Sequence, residues 1–118
     1  MATTRRNVTS EDQEQEVLAK IKEYQEKDFP EAGEVHELIM QANPSLCPRL
    51  WYGMPGYAKT KDSAVLCFFR KDTMISFGVT EAAKLNDDAS IFPSAWCITR
   101  LDKDAAAKIV EVVAESTK

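Results

Sequence analysis

Pro48-Arg49-Leu50-Trp51-Tyr52-Gly53-Met54-Pro55-Gly56-Tyr57 is the stretch that decides how this chain folds. Aromatics, two glycines and two prolines crowd into ten positions. Glycine supplies positive φ, and proline presets φ while removing a donor. Gly53, Pro55 and Gly56 therefore read as a bend, with short strands over 49–52 and 56–59 on either side of a Gly-Met-Pro turn. A bend lined by Trp51, Tyr52 and Tyr57 builds either the centre of a small core or the wall of a pocket.

Downstream, residues 64–70 are rich in Val, Leu and Phe. Lys71-Asp72 reads as a tight turn, and 73–79 completes a β-hairpin. Residues 80–85 suggest a helical turn and 86–90 a polar loop. A further strand spans 95–100, with Trp96 and Ile98 on one face and Cys97 and Thr99 on the other. Asp102 caps a last helix over 103–115, whose apolar stripe is Ala106, Ile109, Val110 and Val113. Upstream, Ser10 with Gln13 fits a capping box for a helix over 11–27, with Val17, Leu18, Ile21 and Tyr24 at helical spacing. Pro30 breaks that helix and opens a second one. The second helix carries Val35, Leu38, Ile39 and Ala42 on one stripe and stops at Asn43-Pro44. Strands in sequence, joined by short turns, must be largely antiparallel. The order predicts a two-layer α+β domain over 10–118, an antiparallel sheet covered by N-terminal and C-terminal helices, after a disordered tail at 1–9.

A chain of 118 residues is long enough to bury a core without disulfides. No apolar run approaches the roughly 20 residues of a membrane helix. Two early arginines lack an apolar stretch behind them, so no secretory leader is expected and the default location is the cytoplasm. The net charge of −4 argues against nucleic acid as a partner, and Lys59, Lys61, Arg70 and Lys71 read as decoration of strand ends. Cys47, Cys67 and Cys97 form no CxxC pair and read as reduced thiols. Cys67 and Cys97 lie in apolar runs and are expected to be buried; Cys47, in a loop, is expected to be the exposed one.

Three candidate sites stand beside plainer readings. Glu11, Asp12, Glu14, Glu31, Glu34 and Glu37 are acidic positions of the two N-terminal helices, and converging carboxylates hold hard cations. Glu16–Lys20 and Glu23–Lys27 spacing also suits an ordinary solvated helix. His36, the sole histidine, has no partner at metal or triad spacing and reads as an exposed helix residue. Finally, Arg49, Trp51, Tyr57, Trp96 and Arg100 form an apolar groove with cationic rims if their aromatics share the face away from the helices, and part of the core if they point inward. Phosphate-binding glycine loops and nucleophile elbows are absent, and no catalytic constellation is visible.

The runs Trp51–Tyr57, Val65-Leu66-Cys67-Phe68-Phe69, Thr73-Met74-Ile75-Ser76-Phe77-Gly78 and Ala95-Trp96-Cys97-Ile98-Thr99-Arg100-Leu101-Asp102 resemble the YdhG-like family of small domains of unknown function. The likeness covers about residues 35–114. It implies a curved antiparallel sheet with frataxin-like architecture, and some relatives are described as intracellular iron chaperones. Iron is the cofactor the resemblance implies, with acidic helix residues as its ligands. Two functions follow as expectations: iron delivery through the acidic helices, or a binding module that takes a protein or a small ligand in the aromatic groove. A homodimer through a strand edge or aromatic patch is a further expectation.

Overall fold

A computed structural model describes residues 9–83, 90, 91 and 93–118. It shows an α+β domain with helices at both ends of a five-stranded antiparallel sheet. The elements are α1 (Ser10–Glu26), α2 (Ala32–Ala42), β1 (Cys47–Trp51), β2 (Met54–Ala58), β3 (Val65–Lys71), β4 (Ile75–Val79), a 3₁₀ turn (Glu81–Ala83), β5 (Ala95–Ile98) and α3 (Lys103–Ser116). The strands form a simple meander in chain order. Residues 1–8 of the expected tail and most of the polar loop at 86–90 lie outside the described residues, and Thr9, the last residue assigned to that tail, instead caps α1.

Helix α1 starts one residue earlier than its capping box predicts. Thr9 Oγ1 accepts from the Asp12 N–H at 3.0 Å, and the Asp12 carboxylate accepts from the Thr9 N–H at 3.3 Å. The same reciprocal pattern is available at Ser10 and Gln13, but a carboxylate is the stronger acceptor at a helix N-terminus. The helix ends where Asp28 turns left-handed at φ 84° and the Phe29 N–H reaches back to the Tyr24 carbonyl at 3.1 Å. That bond, from just past the helix end to its last turn, is the Schellman closure. Helix α2 begins two residues after Pro30 rather than at it.

The opening stretch forms the β1–β2 hairpin, and its bend lies one step earlier than its prolines suggest. Tyr52 and Gly53 both have positive φ, 52° and 77°, and Trp51 pairs with Met54. This is a two-residue hairpin loop of the primed type, whose twist matches the flanking strands. Met54 and Pro55 therefore belong to β2. A register irregularity between Tyr57 and Ala58 bends β2 against β3.

Alternation sorts the strands into two faces. Tyr57, Cys67, Phe69, Phe77 and Val79 are buried on the helix side, where Val17 and Ile21 of α1, Val35 and Ile39 of α2, and Ile109 and Val113 of α3 meet them. Trp51, Gly56, Phe68, Gly78 and Cys97 are on the opposite side. Phe68 lies against Gly78, where an added Cβ would sit 2.8 Å from Phe68 Cζ. At the domain's edge, Asn43 Nδ2 donates to Thr117 Oγ1 at 3.0 Å and ties the end of α2 to the end of α3.

Candidate functional site

The five groove candidates do not form one groove. Tyr57 is fully buried under the helices, and Trp51 is half-buried on the outer face, 5.1 Å from the Phe68 ring centre. β1 and β5 are the two edges of the sheet, so Arg49 and Trp51 are separated from Trp96 and Arg100 by its full width. Arg49 donates from Nη1 to the Lys61 carbonyl at 2.9 Å, which anchors it to the β2–β3 loop. Trp96 lies on the helix side, 5.9 Å from Phe77. The physical reason is register: positions 51 and 57 are on adjoining strands of one hairpin, yet Trp51 pairs with Met54 and Tyr57 with Pro48, which places them on opposite faces.

The acidic candidates also divide. Asp12 is committed to the α1 cap, and Glu11 shares that first turn. Glu14 and Glu37 border a broad, open depression with His36, Met40, Gln41 and Pro44. Glu31 and Glu34 line a different cavity. Among the described residues, no three His, Cys, Asp or Glu side chains converge closely enough to enclose a metal ion.

His36 corrects the sequence reading. It is half-buried, and its Nδ1 lies 2.7 Å from the Tyr57 hydroxyl. Burial pushes the Tyr57 phenol well above its ordinary range, and burial also lowers His36, against the nearby Glu14 and Glu37 carboxylates that favour its charge. Both shifts favour the neutral forms, so the contact joins a protonated phenol to a neutral imidazole. A lone polar residue 21 positions from its partner leaves no local signal for such a contact. The cysteines are redistributed as well: Cys67 is buried as expected, its thiol pushed up to about 12 by that burial, but Cys97 is the exposed one and Cys47 is intermediate. Strand β5 is an edge with one open face, so alternation turns Cys97 outward.

Sequence reasoning missed how Trp96, Arg100, Glu31 and Glu34, drawn from two separate candidate sets, share one region. A cleft of about 490 Å³ opens between the start of α2, the β3–β4 turn and the segment that leaves β5. Phe29, Ile75, Ile98 and Leu101 give it an apolar floor, Thr73 and Thr99 add hydroxyls, and Glu31, Glu34 and Arg100 provide charge of both signs. It shares Ile98, Thr99 and Arg100 with a second cavity of about 230 Å³ against α3, walled by Phe77, Trp96 and Lys108. Lys108 stands over the Trp96 ring at 6.0 Å, and Arg100 reaches Asp102 at 3.4 Å. The Ala105 N–H, then Arg100, holds the Asp102 carboxyl below its usual range; that carboxylate caps α3. Tyr57 and Cys67, whose ionisation burial suppresses most strongly, lie in the core and not in this cleft. Apolar surface with a few placed charges is the chemistry of recognition.

The chain was compared with family models, with curated proteins and with solved structures, and none of them matches. Among the described residues, no helix is long and apolar enough to cross a membrane.

Proposed function

We propose that this protein is a small-ligand-binding module and that the cleft between the start of α2, the β3–β4 turn and the segment that leaves β5 is its site. One observation carries the reading: an apolar-floored cavity of about 490 Å³, within the size range of ligand pockets, is rimmed by charged side chains that the core does not use. It narrows the groove expectation to its Trp96–Arg100 half. Binding of small apolar fragments, mapped by amide shifts, tests it. Perturbations are expected at Met74, Ile98, Thr99 and Leu101 first. Shifts centred instead on Trp51 and Phe68, or spread evenly over the sheet, would reject the cleft as the site.

Iron delivery, the role implied by the YdhG-like and frataxin-like resemblance, is a second reading with one observation in its favour: Glu31 and Glu34 line the same cleft. Two carboxylates leave most of a cation's coordination to water, and such weak binding suits a delivery protein. An anaerobic Fe²⁺ titration followed by NMR tests it. Broadening confined to residues near Glu31 and Glu34 supports the reading; uniform or absent broadening at equimolar iron rejects it. Intracellular location and a homodimer belong with these proposals.

A further inference from the structure

The cleft is lined by charge of both signs. Glu31 and Glu34 stand on the α2 side, and Arg100 stands where β5 runs on toward α3. Among the described residues these carboxylates form no ion pair, although a cation lines the same cavity. The guanidinium does meet Asp102, but through Nε and Nη2 at 3.4 Å to a single carboxylate oxygen, which leaves donors free on a fork that carries five. The same cavity has the apolar floor of Phe29, Ile75 and Ile98. An anion alone would leave Glu31 and Glu34 facing it unfavourably, and a cation alone would do the same with Arg100. A ligand of both signs satisfies each wall while its body covers the floor.

Resting on the reading of this cleft as a ligand site, we infer that its ligand class is a small zwitterion with an apolar body, of the kind represented by a free aromatic or aliphatic amino acid. Its ammonium group sits toward Glu31 and Glu34, its carboxylate toward Arg100, and its side chain on the floor or in the smaller cavity beside Trp96. Carboxylate recognition by a planar guanidinium fork makes Arg100 the orienting residue. Because Arg100 is well exposed, at 82% of its side chain, each charge contributes modest selectivity, about threefold to fivefold in affinity at low salt.

The test uses three probes that share a phenyl ring: phenylalanine, 3-phenylpropionate and phenethylamine, each titrated into the full chain with amide shifts as the readout. Phenylalanine is expected to bind most tightly, by about threefold to fivefold over either singly charged probe, with the margin shrinking in 0.5 M salt. Arg100→Gln is expected to abolish its margin over phenethylamine, and the double change Glu31→Gln with Glu34→Gln its margin over 3-phenylpropionate. Unchanged far-UV circular dichroism checks that these surface variants fold. Equal binding of a singly charged probe at the cleft overturns the zwitterion class and leaves the ligand cleft standing. No cleft shift from any probe overturns both.

Discussion

Replacing Tyr57 by Phe isolates the polar contact that this buried ring makes under the helices. The ring and its stack on Phe69, with centroids 6.4 Å apart, are kept, while the hydroxyl that hydrogen-bonds to His36 Nδ1 at 2.7 Å is lost. A net hydrogen bond contributes about 1 kcal/mol, and the ring nitrogen left without its partner adds up to about 1 more. Tyr57→Phe is therefore expected to cost about 1–2 kcal/mol at pH 7.5, at about 4 °C of melting temperature per kcal/mol for a domain of this size. The burial of His36 sets a pH dependence as well. Burial lowers the folded-state pKa of His36, so between that value and the unfolded one the unfolded chain binds more protons. The stabilisation is complete above the unfolded histidine pKa, about 6.5, and is lost as pH falls below it toward the folded value. One proton sets a ceiling of about 1.4 kcal/mol per pH unit. The ring is only half-buried and faces Glu14 and Glu37, so the slope falls short of that ceiling. Urea unfolding followed by circular dichroism from pH 7.5 to 5.5 measures it. His36 is the only histidine, so His36→Gln is expected to flatten the dependence in that window. Equal slopes in wild type and His36→Gln, or a Tyr57→Phe protein as stable as wild type, would refute the reasoning.

Gly78→Ala is expected to destabilise by about 2 kcal/mol. Its new Cβ meets Phe68 Cζ at 2.8 Å and the Ser94 carbonyl oxygen, a backbone atom that yields poorly, at 2.9 Å. Gly33→Ala, which meets only the mobile amide end of Gln25 at 2.7 Å, is expected to stay within about 0.5 kcal/mol of wild type; similar urea midpoints for the two variants would contradict this packing. Tyr52→Asn should raise stability by up to about 1 kcal/mol, because a bulky residue is disfavoured at positive φ whereas Asn-Gly suits this turn; a lower urea midpoint would show that the edge contact of Tyr52 with Trp51 outweighs the strain. With a thiol reagent, the native protein should show its fastest phase at Cys97 and none at Cys67 before unfolding; a Cys97 that labels no faster than Cys67 counts against the assigned β5 orientation.

The fold was legible where the information is local. Helix periodicity and the Asp102 cap each depend on residues a few positions apart, and the three helices and five strands expected are present with ends shifted by no more than two residues, while the β3–β4 turn is Asp72–Met74 rather than Lys71-Asp72, because Lys71 still pairs with Ile75. The shifts have local causes too. Thr9 displaces Ser10 as the α1 cap because its partner is a carboxylate, and Tyr52 accepts a positive φ that moves the hairpin bend upstream of Met54 and Pro55.

The sites were another matter. Two tryptophans of similar character, Trp51 and Trp96, are placed on opposite faces of the sheet by register, and composition cannot choose between those faces. His36 meets Tyr57, and Glu31 and Glu34 share a cavity with Arg100, only after the meander and three helices have closed. The sequence by itself determined which segments are helix or strand and that the strands pair in order, because propensity, capping and short connections act within a few residues. The tertiary structure alone decided which side chains share a surface, because a contact between distant positions depends on strand register and helix docking, which no local stretch of chain contains.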